Sequence, residues 1–184
     1  MRKIVYWVHV SLDSHINGPN GEFDWPVFGP ELARYSHEEN DRVDTFLYGR
    51  TVWELMSSYW PTADANTDDE HARYFAPVWR ATPKFVFSTT LQSADWNTTI
   101  VRGDLAAEVE ALKSVPGKDM QLTGGAGLAK ALADLDLIDE YQVVVHPVVL
   151  GGGRRLFTGS DRFSLSLAET RTFDGATVLL RYTR

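Results

Sequence analysis

The residues of this sequence best suited to chemistry are glycines at the ends of β-prone runs. Met120 to Thr123 is such a run, and it passes into Gly124, Gly125, Ala126, Gly127 and Leu128, after which Leu128, Leu132 and Leu135 recur near helical spacing. A strand that turns through glycine into a helix leaves backbone N–H groups facing outward at the helix N-terminus. Those donors and the helix dipole both favour an anion, and the pyrophosphate of a nucleotide cofactor is a natural occupant. The motif is short, and the same glycines would serve a tight turn that holds no ligand. A second junction, Gly49-Arg50-Thr51, adds a guanidinium whose planar fork matches phosphate oxygens. Ser88 and Thr89 close the run from Lys84, and Arg102 follows the run Thr98 to Val101. Ligands of open α/β sheets bind beyond the carboxyl ends of strands, so four such points together outweigh any single one.

Fewer side chains are placed to move a proton. His9 lies inside the apolar run from Lys3 to Leu12, where a single histidine is ordinarily a packed or hydrogen-bonded core residue. His71 follows Asp68, Asp69 and Glu70, but adjacent acids at a helix start commonly cap it and complement its dipole, so no metal site is expected. The chain has no cysteine, which removes disulfides, thiolate metal sites and a cysteine nucleophile.

The elements that must position these residues follow from periodicity. Residues 3 to 12 suit a central strand covered on both faces. A loop with Asn17-Gly18 and Asn20-Gly21 turns comes next, then a helix from Pro30 with Leu32, Tyr35 and Val43 on or near one face. Strands over Thr45 to Tyr48, Lys84 to Ser88, Thr98 to Val101 and Tyr141 to His146 alternate with helices. One of these helices carries Ala72, Phe75, Ala76 and Trp79, and another is capped by Asp104. Phe163 to Phe173 and Ala176 to Tyr182 read as a hairpin about Asp174-Gly175. This order predicts an α/β fold of three layers over residues 1–184, with a central mixed, mostly parallel sheet and a C-terminal hairpin. At 184 residues roughly 70% of the unfolded surface can be buried. A net charge of −7 argues against a nucleic-acid partner, and no apolar run approaches the ~18 residues of a membrane span. A soluble cytoplasmic protein is expected. The hairpin strands are long and apolar enough to predict a homodimer that covers their edge.

The segment GGAGLAKALADLDLIDEYQVVVHPVVLGGGRRLF resembles the C-terminal signature of the reductase domain of bacterial riboflavin biosynthesis, which shares its fold with dihydrofolate reductase. Gly49 to Glu54 is similar to the glycine-arginine-x-threonine-tryptophan turn of dihydrofolate reductase, with Val52 where that family commonly has a hydroxyl. The resemblance implies an NADPH-dependent reductase of a small heterocycle, either a ribosylamino-pyrimidine or a pteridine. A protein that binds NADP without turnover is the alternative. The resemblance also implies roles. Gly49, Arg50, Thr51, Gly124, Gly125, Ala126, Gly127 and Leu128 would hold cofactor phosphates, while Ser88, Thr89 and Arg102 would face the adenosine end. Ile16 and Trp25 would bound a lid over the nicotinamide and, with Tyr35, meet the substrate. Glu31 lies six residues after Trp25, where dihydrofolate reductases place a buried acid that shares a proton with the heterocycle. A helix-end charge that complements the dipole is the other reading of Glu31. No zinc-ligand deaminase motif precedes these segments, so a stand-alone reductase is expected.

Overall fold

The computed structural model describes residues 1–159 and 161–184. Strand β1 (Ile4–Ser11) is buried at every residue, as an unbroken apolar run requires. It is flanked in parallel by β5 (Asp119–Thr123) and β6 (Glu140–His146). Strand β2 (Val43–Gly49) lies parallel to β5 on one side and to β3 (Lys84–Phe87) on the other, and β4 (Thr98–Val101) runs parallel along β3. Beyond β6, β8 (Thr177–Thr183) and then β7 (Ser166–Phe173) pair antiparallel. The order is β4-β3-β2-β5-β1-β6-β8-β7. Because β1 to β6 are all parallel, their six carboxyl ends share one edge, and the expected mixed, mostly parallel sheet is present.

Helices cover both faces. Tyr6, Val8 and Val10 of β1 join Val109 of α4 (Leu105–Ser114) and Ala129 and Leu132 of α5 (Ala126–Asp134) in one core. On the opposite face Trp7 packs with Leu32 and Tyr35 of α1 (Pro30–Arg42). Beside them Phe46 and Tyr48 meet Trp53 of α2 (Arg50–Tyr59) and Phe75 and Trp79 of α3 (Glu70–Ala81). The caps follow local chemistry: Asp104 accepts from Ala107 N–H at 3.0 Å, and Asp69 from His71 N–H at 2.9 Å. Asp69 thus caps a helix, as the acids preceding His71 suggested.

Asp174 and Gly175 both have positive φ, 54° and 66°, as a two-residue hairpin turn requires. That turn also closes α1. The Asp174 carboxylate accepts from the N–H groups of Glu31 (3.0 Å) and Leu32 (3.3 Å), and the Glu31 carboxylate accepts from Asp174 N–H (2.6 Å). This is a capping box assembled from two distant parts of the chain. The hairpin begins later than its sequence suggests, because Phe163 and Leu165 turn inward against the α5-side core. Its outer strand β7 bears Glu169, Thr170, Arg171 and Thr172, polar side chains of the kind that guard an edge. Leu167 is the one large apolar side chain that β7 exposes, so this edge is mostly polar and not the apolar edge from which the homodimer was expected. No helix among the described residues is long and apolar enough to cross a membrane.

The chain leaving β1 is held against the triple glycine. Leu12 N–H donates to Val148 O (2.7 Å), Ile16 N–H to Arg154 O (2.8 Å), and Leu156 N–H to Ser14 O (3.0 Å). The Asp13 carboxylate accepts from the Ser11 hydroxyl (2.6 Å) and from the N–H groups of Leu150 (3.0 Å) and Gly151 (2.8 Å). These bonds, led by that from Ser11, hold the Asp13 carboxyl well below the usual carboxylate range. Gly153, at φ 108°, lies so close to the Asn17 carbonyl that any β-carbon would collide with it. Gly153→Ala is therefore expected to destabilise the protein by about 2–4 kcal/mol. Urea denaturation checks this, and a loss under ~0.5 kcal/mol would show that the two loops can separate freely.

Candidate active site

Two helix N-termini meet at the carboxyl edge of the sheet. Gly49 and Gly125 are the N-caps of α2 and α5, and neither helix receives a side-chain cap. Their strands β2 and β5 are neighbours, so the helix starts adjoin. A β-carbon on Gly49 would lie 3.5 Å from Leu128 Cβ, and one on Gly125 would lie 2.8 Å from Val52 Cγ2. Gly124 is anchored by its N–H to Trp7 O (2.9 Å), has φ 55°, and a β-carbon there would meet nothing within 4 Å. Open space thus lies beside two sets of outward N–H groups. Ala126 and Leu128 point into the core, while Gly127 and Thr51 are exposed on the first helical turns.

Arg154, which motif reading did not single out, completes this corner. Its Nη2 lies 3.4 Å from where a Gly127 β-carbon would stand, and no carboxylate pairs with it among the described residues. A cation at the positive end of a helix is poorly placed on its own. An anion between the guanidinium and the helix would satisfy both. Along the same edge Arg50 donates to Glu54 Oε1 (2.7 Å) and to the Thr90 hydroxyl (2.9 Å). Ser88 Oγ accepts from the N–H groups of Thr90 (3.2 Å) and Leu91 (3.0 Å), and Arg102 donates to Leu91 O. Arg50, Ser88, Thr89 and Arg102 are thereby gathered around the turn that follows β3.

Across β1 lies a second, aromatic corner. Trp7 Nε1–H donates to His9 Nε2 (3.0 Å), His9 Nδ1 contacts His146 Nε2 (2.8 Å), and Val27 N lies 3.3 Å from His146 Nδ1. Burial pushes the His146 imidazole down to about 4, and burial with the neighbouring His146 ring holds His9 well below its ordinary range. Both rings are neutral at pH 7. The loop before α1 roofs them: Trp25 stands edge-on to His146 at 5.5 Å, and Phe28 lies 4.9 Å from His9 and stacks on His71 at 4.8 Å. Tyr35 stacks on Trp7 from below, with centroids 6.0 Å apart.

The structure sorts the candidate residues. The glycine-turn and arginine residues gather along the carboxyl edge, where Ala126 and Leu128 turn their side chains into the core and offer only backbone N–H groups, and Trp25 and Tyr35 join the aromatic corner. Ile16 does not, because its side chain packs into the core on the α5 face. Glu31 is exposed on the outer end of α1 with its carboxylate engaged by Asp174 N–H, so it lacks the buried setting that a proton-sharing acid needs. The six-residue spacing from Trp25 is present, but the hairpin turn occupies the helix end. His9 is the hydrogen-bonded core histidine its strand implied, and His146, its partner, carried no local signal.

A mixed sheet of this order, flanked by helices on both faces, is the dihydrofolate reductase-like fold. A family profile described as the RibD C-terminal domain matches residues 2–179, and the chain belongs to that family. It is 35% identical over 182 residues to YyaP and 31% identical over 188 residues to YwjB, two uncharacterized proteins of Bacillus subtilis (strain 168). Those matches cover 98% and 100% of this chain and 94% and 98% of the relatives. Among solved structures, a putative riboflavin biosynthesis protein from Shewanella sp. PV-4 superimposes with a TM-score of 0.76 at 23% identity, over 100% of this chain and 99% of that one. The deaminase/reductase of Thermotoga maritima gives 0.69 at 14% identity, with 99% of this chain matched to 56% of that one. These two likenesses concern the fold.

Two expectations follow. Glu31→Gln should cost at most ~1 kcal/mol of stability, the scale of a helix-end charge, as measured by urea denaturation; a loss of several kcal/mol would mean the carboxylate does more than close the helix. The second concerns pH. His71, like His146, is pushed down to about 4 by burial, so the unfolded chain binds protons that the folded chain refuses. The resulting stability is fully present above the unfolded value of 6.5 and is lost as pH falls toward 4. His146→Phe should flatten that fall, and a wild-type stability constant from pH 7 to 4 would contradict it.

Proposed function

We propose that this protein is an NADPH-dependent reductase of a small planar heterocycle. The observation that carries this reading is the pair of adjoining, uncapped helix N-termini with the Arg154 guanidinium, which no carboxylate pairs among the described residues, beside them. The residues present fit a dinucleotide. The N–H groups at the starts of α2 and α5, with Arg154, would hold the pyrophosphate, and Gly124 leaves room for it. Arg50, Ser88, Thr89 and Arg102 would face the adenosine end and its 2′-phosphate. Bound NADPH supplies hydride from its nicotinamide. The chain's own part is to hold the phosphates at one corner, orient the substrate among the aromatic residues across β1, and exclude water with the loop over His9 and His146. The family supports a substrate of the ribosylamino-pyrimidine kind. A pteridine acted on through Glu31 is not supported, since that carboxylate is exposed and engaged.

A homodimer is retained as the expected assembly, by a different surface from the polar edge. A groove of about 240 Å³ lined by Leu12, Val143, Val145, Leu165, Leu180 and Tyr182 is apolar and open, and self-association would cover it. Light scattering at micromolar concentration should give a dimer mass, and a monomer mass would exclude this assembly.

Calorimetry tests the cofactor. NADPH should bind tighter than NADH by about tenfold to a hundredfold, the range for one charged hydrogen bond to the 2′-phosphate. Arg154→Ala should weaken both cofactors by about tenfold or more without lowering stability. Gly125→Val is a poor probe, because its φ of 65° and the contact with Val52 make it a folding defect first. Equal affinities for the two cofactors would remove the 2′-phosphate assignment, and an unchanged Arg154→Ala would remove the pyrophosphate assignment.

A further inference from the structure

Indole and backbone N–H groups can only donate, so the run from Trp7 through two neutral imidazoles to Val27 has a donor at each end, and one of its contacts must fail. The Trp7 contact is buried and is the shorter of the two end contacts, 3.0 Å against 3.3 Å at the part-buried Val27 end, so it is the one kept and His9 Nε2 accepts. Neutral His9 then carries its proton on Nδ1 and donates it to His146 Nε2 at 2.8 Å. His146, accepting at Nε2, must carry its own proton on Nδ1. That N–H points at the backbone N–H of Val27, 3.3 Å away, so donor faces donor. Reversing the middle bond gives no relief, since His9 would then accept at both nitrogens and hold no proton. Protonating His146 leaves the clash in place. A second surplus donor lies beside it: the Trp25 indole nitrogen is buried without a partner, in a ring edge-on to His146. With His146 protonated on Nδ1, three N–H groups of this corner lack an acceptor among the described residues.

We infer that His146 Nδ1–H, with Val27 N–H and the Trp25 indole, forms a donor site for a carbonyl oxygen or bare ring nitrogen of the heterocyclic substrate. Trp7 and His9 are positioning residues that lock His146 as a donor. This deepens the reductase reading above and rests on it for the role of the ligand. A neutral imidazole N–H can polarise a carbonyl without surrendering its proton, and the lowered proton affinity of both rings keeps them in that form. The walls suit a flat ring. Phe23, Val27 and Phe28, on the roofing loop, are 47%, 67% and 36% exposed, an apolar surface that a stacked heterocycle would cover. Amino groups at the contact edge would add donors to donors, so the site discriminates between a dione and a diamine on the same ring system.

Nitrogen-15 correlation spectra of the histidines at neutral pH read the tautomers directly in the wild-type protein. Both His9 and His146 are expected to carry the proton on Nδ1. In Trp7→Phe the lock is gone, and both rings are expected to shift to the Nε2–H form, which lets His146 Nδ1 accept from Val27 N–H. Lumazine and 2,4-diaminopteridine, titrated by fluorescence with NADPH present, probe the site. Lumazine is expected to bind about tenfold tighter to the wild type, and His146→Phe and Trp7→Phe should each remove that preference. A wild-type His146 protonated on Nε2, a Trp7→Phe protein with unchanged tautomers, or a dione that binds no better than the diamine overturns the inference. NADPH titrated alone reports the cofactor separately. If it binds while the dione preference is missing, only the donor site falls; if it does not bind, the reductase reading falls and takes the substrate role with it.

Discussion

The fold depends on β1 having a parallel neighbour on each side. A strand buried at all eight residues cannot tolerate a slip of register, because moving by one would exchange its two sets of side chains between the two cores. Its alternation therefore fixes the whole molecule. Tyr6, Val8 and Val10 are committed to the α5 face, and Trp7 and His9 to the α1 face. Pairing with β5 sets Trp7 opposite Thr123, so the Trp7 carbonyl receives the Gly124 N–H and the glycine turn is placed. Pairing with β6 sets Ser11 opposite His146, and the diagonal from His9 to His146 closes at hydrogen-bond distance.

Two chemically unlike corners result on either side of one strand. The first gathers positive potential from helix ends and arginines, in a chain whose net charge is −7, so its field must be local. The second is nearly uncharged, since its histidines are held neutral by burial. A dinucleotide needs the first kind of surface for its phosphates, and a flat heterocycle needs the second. The segment that spans them, from Leu12 to Gly29, is tied at its root by the Asp13 carboxylate and the Gly153 approach. Its tip over His146 is held by aromatic contacts and by the single contact of the Val27 amide with His146. A stiff root and a loosely matched tip suit the proposed reductase, in which this segment would open over the substrate and leave the proposed cofactor corner intact.

Local chemistry made much of this legible in the sequence. The glycine turn before α5, the Asp104 and Asp69 caps, the Asp174-Gly175 turn and the uniform burial of β1 all follow from residues close together in the chain. Long-range constraints hid the rest. His9 and His146 are 137 residues apart, and only the pairing of β1 with β6 joins them. Glu31 has the spacing of a proton-sharing acid, but the hairpin turn that captures it lies 143 residues later. The triple glycine read as a signature without a cause, and for Gly153 the cause is the Asn17 carbonyl. Arg154 was one more surface arginine until the fold set it over the start of α5.

The central claim is that the N-termini of α2 and α5 bind the cofactor's phosphates together. Amide nitrogen-15 shifts followed during titration with NADP+ test it most directly, because the proposed ligands include backbone N–H groups. The largest perturbations are expected at Arg50 to Val52, Gly124 to Leu128 and the turn at Ser88 to Thr90, with Glu31 and Asp174 unmoved. Saturable binding whose perturbations fall elsewhere, with Gly124 to Leu128 unaffected, would contradict it.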